Sequence, residues 1–162
     1  MNVPVKYVPK HITKKDKKKI IKELKKSRKM YNKKKYHTRK KIKSFKSKKS
    51  SHIENAIKMY KIKKIRPSKE LSKATKCSMA SLRKIVSKGK GAYFSSGSRP
   101  NQTAHSWGYA RLASAITGGK SSIVDFHVLE EGCKKNSKAL TLAKKLIKKH
   151  GKKTRRVKQV KI

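Results

Sequence analysis

Residues 91–133 read GAYFSSGSRPNQTAHSWGYARLASAITGGKSSIVDFHVLEEGC, the one long run in this chain that lysine does not saturate. Its cations Arg99, Arg111 and Lys120 are matched by Asp125, Glu130 and Glu131, so the flanking sequence carries the whole formal net charge of +43. A neutral run rich in Ala, Gly, Ser and aromatics can pack, whereas lysine-rich flanks repel themselves and need a counter-charge. The fold is therefore expected to centre here.

Within the run, Thr103 is placed to cap a helix from Ala104 to Thr117 that Gly118-Gly119 closes. Trp107, Ala110, Leu112, Ala113 and Ile116 give that helix a small-residue face, and Arg111 can pair with Asp125 or a phosphate. Ser122 and Asp125 stand at capping-box spacing before an element ending at Gly132. Upstream, Gly89-Lys90-Gly91 and Ser95 to Asn101 bracket Ala92-Tyr93-Phe94, which reads as a glycine and serine loop around a short aromatic strand or turn. Such a loop could offer N–H groups and Arg99 to a phosphate, but neither GxxxxGK[ST] nor GxGxxG is present.

Immediately before the run, Glu70 to Gly89 (ELSKATKCSMASLRKIVSKG) reads as two short helices. Leu71 and Ala74 are expected inside the first, Cys77 at the turn, and Leu82, Ile85 and Val86 inside a second that Ser78 caps and Gly89 ends. The spacing resembles a helix-turn-helix, with Met79, Ala80, Arg83, Lys84, Ser87 and Lys88 outward toward a major groove. Lys76 stands where that motif usually has glycine.

Further out, Ser51 and Glu54 open a helix with Ile53, Ala56, Ile57 and Tyr60 on one face, Pro67 ends the next segment, and Ser68 caps its successor. Residues 1–50 read as a basic arm: a proline-punctuated strip from Val3 to Pro9, a marginal helix from Thr13 carrying Ile20, Ile21, Leu24 and Tyr31, then KKKYHTRKKIKSFKSKKS from Lys33. In that last tract Tyr36, Ile42 and Phe45 either anchor the arm or stack on bases. Beyond the run, Ser137 opens a helix with Leu140, Ala143, Leu146 and Ile147 inside, Gly151 closes it, and residues 152–162 form a second basic tail.

Fifty Lys and Arg against seven Asp and Glu in 162 residues point to an anionic partner, above all nucleic acid. The hydrophobic share of 34%, below the roughly 45–50% of ordinary globular chains, argues against a core spanning the whole chain. Cys77 and Cys133 make no disulfide framework and no CxxC metal pair, which suits a reducing compartment. His105, His127 and the cysteines lack zinc-ligand spacing, no GxSxG surrounds a serine, and the few acids do not converge, so no metal, cofactor, small-molecule substrate or enzymatic activity is expected. No apolar run is long enough to span a membrane, and MNVPVKYVPK is not a signal peptide.

The run from Gly91 to Gly119, especially SSGSRPNQTAHSWGYARLASAITGG, with KKSRK (Lys25 to Lys29) and KSFKSKKS (Lys43 to Ser50), resembles an uncharacterised basic protein family of the nucleocytoplasmic large DNA viruses. The resemblance implies a viral origin, with a place in the virion and in the host cell interior during assembly. Together these readings describe a mainly α protein. A small helical domain over 51–151 holds the helix-turn-helix-like pair at 69–89 and the neutral core at 91–133, between basic N- and C-terminal arms. Its expected role is non-enzymatic binding of nucleic acid, duplex DNA above all, through phosphates. The residues expected to carry it are Lys33, Lys34, Lys35, Arg39, Lys40, Lys41, Lys43, Lys46, Ser78, Arg83, Lys84, Lys88, Arg99, Lys152, Lys153, Arg155 and Arg156. The alternatives are a minor capsid protein whose arms bridge acidic coat subunits or an anionic membrane surface, and a helix-turn-helix regulator.

Overall fold

Helical periodicity and well-placed caps make the chain mainly helical. The computed structural model describes residues 1–153 and 157–162. Its helices are α1 (Lys14–Asn32), α2 (Ser51–Tyr60), α3 (Lys69–Thr75), α4 (Met79–Ser95), α5 (Ala104–Ile116), α6 (Lys120–Val124), α7 (Phe126–Gly132) and α8 (Lys138–His150). Two short strands, β1 (Asn2–Pro4) and β2 (Gln159–Lys161), pair antiparallel with Val3 opposite Val160. The side-chain oxygens of Thr13, Ser68, Ser78, Thr103 and Ser137 accept the N–H of the residue three further on. Each satisfies a donor that a helix start leaves without an intrahelical partner.

The chain divides into two units, one made of Met1–Lys48, Lys90–Trp107 and the C-terminal strand, the other of Lys49–Gly89 and the chain from Gly108 through α8. In the first unit, residues 1–48 are folded rather than extended as an arm. Ile20 and Leu24 of α1 pack with Val3, Tyr7, Val8, Ile12 and Ile42, all buried. Gly97 takes φ +94° in the loop after α4, and a Cβ there would stand 2.7 Å from Leu24. The tail, read as a second arm, ends in β2.

Residues 36–46 lie outside helix and strand, so their backbone polar groups need other partners. Glu23 accepts the Lys40 N–H at 3.0 Å, the Tyr93 hydroxyl accepts the Arg39 N–H at 3.2 Å, and Asp16 accepts the Ser44 N–H at 3.0 Å. Asn101 accepts the Ile42 N–H at 2.7 Å and donates to the carbonyls of Ile42 and Phe45. Side chains thus replace a strand partner and hold the basic tract in place.

In the second unit, Leu71, Leu82, Ile85, Leu112, Ile116, Val128, Leu129 and Leu140 are buried together. Four local expectations change. Gly89 does not end α4, which runs on through Tyr93 and Phe94 to Ser95. A Cβ on Gly89 would stand 2.6 Å from the Gly108 Cα, so this glycine serves close approach of α4 to α5. Thr75, not Ala74, is buried on α3 and returns its hydroxyl to the Leu71 carbonyl at 2.8 Å.

The Ser122–Asp125 capping box is also replaced. Ser122 donates to the Gly119 carbonyl at 2.6 Å, and the chain bends at a fully buried Asp125 between α6 and α7. Finally, Cys77 and Cys133, read as unpaired, form a disulfide across 56 positions of sequence. They face each other in an isolated antiparallel bridge with Cα atoms 3.9 Å apart.

Candidate nucleic-acid interface

The amphipathic spacing of α1 decides where its charge goes. With Ile20, Glu23, Leu24 and Ser27 turned inward, Lys15, Lys18, Lys19 and Lys22 fall three and four apart on the outer side. Together with Lys43, Thr13 and Asp16 they line an open groove of about 610 Å³. Lys19 donates to the Lys41 carbonyl at 3.0 Å, which joins the helix to the clamped tract.

The tract presents Lys40, Lys41, Lys43 and Lys46 to solvent. Lys33, Lys34 and Lys35 are exposed at the turn that follows α1, where Lys34 takes φ +57°. Arg99 is exposed in the loop before α5. Arg39 is different. Its guanidinium lies 3.7 Å from the centre of the Tyr93 ring and donates to Ser27 Oγ at 3.1 Å, the Tyr93 carbonyl at 2.8 Å and Ser98 Oγ at 2.6 Å. Burial holds it below its ordinary pKa, with Tyr93, Tyr7 and Glu23 acting the other way. Expected to meet a phosphate, Arg39 instead fastens the tract to α1 and α4.

In the second unit Arg83 and Lys84 are exposed on α4, with Lys84 Nζ 3.9 Å from Glu131. Lys88 turns toward Asp125 at 3.6 Å and His127 at 3.0 Å, and Ser78 is occupied by its cap and by Ser81. Lys152 and Lys153 are exposed, whereas Arg155 and Arg156 lie outside the described residues. The α1 lysines of the groove were absent from the sequence-based site. Their 15, 18, 19, 22 spacing was the available signal.

The distribution of acids sharpens this picture. Asp16 accepts both the N–H and the hydroxyl of Ser44, Glu23 accepts from Lys40 N–H and lies 2.9 Å from His37 Nε2, and Asp125 takes a two-pronged contact from Arg111 at 2.7 and 2.8 Å. Three of the seven acids are therefore engaged in holding the fold.

Glu23 also makes the clamp sensitive to pH. Burial opposes its ionisation, but the Lys40 N–H and the His37 ring outweigh that and hold its carboxyl below the ordinary range. The hydroxyl and N–H of Ser44 act on Asp16 in the same direction. A carboxyl depressed on folding stabilises above its unfolded-state titration, and this is lost as pH falls through the folded one. Urea denaturation should show stability declining below the ordinary carboxylate range, and less steeply in Glu23→Gln. An identical decline in the variant would remove Glu23 from the account.

Among the described residues no group of three or more His, Cys, Asp or Glu is placed to hold a metal, and no helix is long and apolar enough to cross a membrane. No curated protein and no solved structure matches the chain. A family model does match, over residues 4–131, which takes in the clamped tract, the lysine groove, the α3–α4 turn and Asp125. The chain belongs to that family, described as a family of unknown function (DUF5824).

Proposed function

We propose that this protein binds nucleic acid through phosphate contacts, without catalysing a reaction, and serves genome packaging or condensation in a virion. The observation that carries the reading is the lysine groove of α1 and Lys43 beside a tract whose backbone is held by side-chain hydrogen bonds. A held backbone keeps these cations at set spacings for a row of phosphates, and each phosphate neutralised releases counterions. The viral setting rests on the resemblance of the neutral run and its basic neighbours to proteins of large DNA viruses.

The test is duplex DNA binding across a salt series with the full chain. The logarithm of affinity should fall with log salt at about −0.9 per phosphate contacted. Changing Lys15, Lys18, Lys19 and Lys22 together to Gln should make that slope shallower by about 3 to 4. Weak binding by the wild type at physiological salt would overturn the proposal and favour the capsid role. The Val3 to Pro9 strip that suited that role is largely taken up at home, since Val3, Tyr7 and Val8 are buried within the first unit.

A second reading, a sequence-specific regulator using α3 and α4, draws on the left-handed backbone of Lys76 at their junction. The exposure of Ala80, Arg83, Lys84 and Ser87 on α4 also supports it. It differs in one result: Arg83→Ala would alter site preference more than overall affinity.

A further inference from the structure

We propose that Tyr36, with the cleft beside Tyr31, forms a site for an unpaired base of single-stranded nucleic acid. The proposal rests on the phosphate-binding reading above and adds a base-stacking element that a duplex cannot use.

The starting observation is an aromatic ring in an unusual place. Tyr36 is 72% exposed, while the other apolar residues of its tract are housed, Ile42 in the core and Phe45 stacked on His11. The chain reverses sharply after α1: Lys33 and Lys35 both donate to the Met30 carbonyl, with left-handed Lys34 between them. This reversal carries Tyr36 back over the end of α1. Its ring centre lies 5.0 Å from that of Phe94 and 6.3 Å from that of Tyr31. Phe94 and Tyr31 are themselves nearly parallel, 6.2 Å apart. Tyr36 therefore rests on an aromatic bed and still exposes most of its ring, beside three exposed lysines that precede it.

Tyr31 also borders a half-open cleft of about 440 Å³, whose polar walls include Arg28, Asn32, Ser95 and Ser96. That volume falls in the range of small-ligand clefts, about 300–1,000 Å³. Arg28 can meet a phosphate or a base edge, and Asn32 supplies both a donor and an acceptor. A π-face next to a cationic track is what single-strand binders use, because every base can stack there regardless of identity. In a duplex those faces are already stacked on neighbouring pairs, so Tyr36 would gain nothing from it.

The experiment measures anisotropy of a labelled oligothymidylate and of a duplex at one salt concentration, using the full chain. Tyr36→Ala should weaken single-strand binding by about tenfold and leave duplex binding unchanged, whereas Tyr36→Phe should keep both. Tyr36→Leu retains apolar contact with Phe94 without a π-face, and should lose single-strand binding as alanine does. Circular dichroism melting of each variant reports on the fold. Unchanged single-strand affinity in Tyr36→Ala, or an equal loss on both ligands, would overturn the base site while leaving phosphate binding in place. Failure of the wild type to bind either ligand would instead overturn the phosphate-binding reading itself.

Discussion

Reduction of the Cys77–Cys133 bond, or Cys133→Ser, is expected to lower the unfolding free energy by about 4 kcal/mol. The figure follows from the entropy that a cross-link spanning 56 positions removes from the unfolded chain. The bond closes a junction that is already stitched. Ser78 N–H donates to the Gly132 carbonyl at 2.8 Å, Lys134 N–H to the Lys76 carbonyl at 2.9 Å, and Ser137 Oγ to the Thr75 carbonyl at 2.6 Å. These hydrogen bonds survive reduction, so the chain should stay folded but unfold at lower denaturant. Urea titrations with and without reductant measure the difference. Thiol labelling of the unfolded, unreduced chain checks the bond itself. Two reactive thiols there, or a loss below about 1 kcal/mol, would contradict the account.

This junction also shows where local reading of the sequence stops. Caps at Thr13, Ser68, Ser78, Thr103 and Ser137 were legible because a cap and its N–H lie three residues apart. Residues 1–50 looked like an arm because Val3, Tyr7, Ile12, Ile20, Leu24 and Ile42 are dispersed among lysines and meet only in space. The clamp on the basic tract was hidden for the same reason. Asn101 reaches Ile42 across 59 positions and Tyr93 reaches Arg39 across 54. Gly89 misled because glycine ends helices and also lets helices touch, and only Gly108 opposite decides between the two.

The candidate site divides along the same line. Exposed cations such as Lys33 to Lys35, Lys40, Lys41 and Lys46 could be named from charge alone, since a lysine run is a solvated face wherever it lies. Arg39 and Lys88 could not be separated from them by composition. Their partners, Ser27, Tyr93 and Ser98 for one and Asp125 and His127 for the other, come from distant stretches. Tyr36 was left between anchoring and stacking by its sequence. Its exposure distinguishes it from Ile42 and Phe45 in the same tract.

Asp125→Asn is expected to cost about 3–5 kcal/mol, the usual result of removing one partner from a buried ion pair. For a chain of this size that corresponds to a fall in Tm on the order of 10 °C. Asp125 is fully buried, and its carboxylate receives Arg111 Nε at 2.7 Å and an Arg111 terminal nitrogen at 2.8 Å, with Lys88 Nζ at 3.6 Å. The amide would leave two cations with no neutralising charge. Lys88, with about a third of its side chain exposed, can swing to solvent, but Arg111 is held more deeply. The contact of Gly89 with Gly108 brings Lys88 on α4 and Arg111 on α5 close enough to converge on this carboxylate. The decisive comparison is a double-mutant cycle with Arg111→Met and Asp125→Leu. If the pair holds the bend between α6 and α7 mainly by mutual compensation, the double variant should recover much of the single-variant loss, because replacing both charges with apolar groups is often near neutral. Strictly additive losses would mean that each side chain contributes through separate contacts, and the ion pair would lose its place as the organiser of this bend.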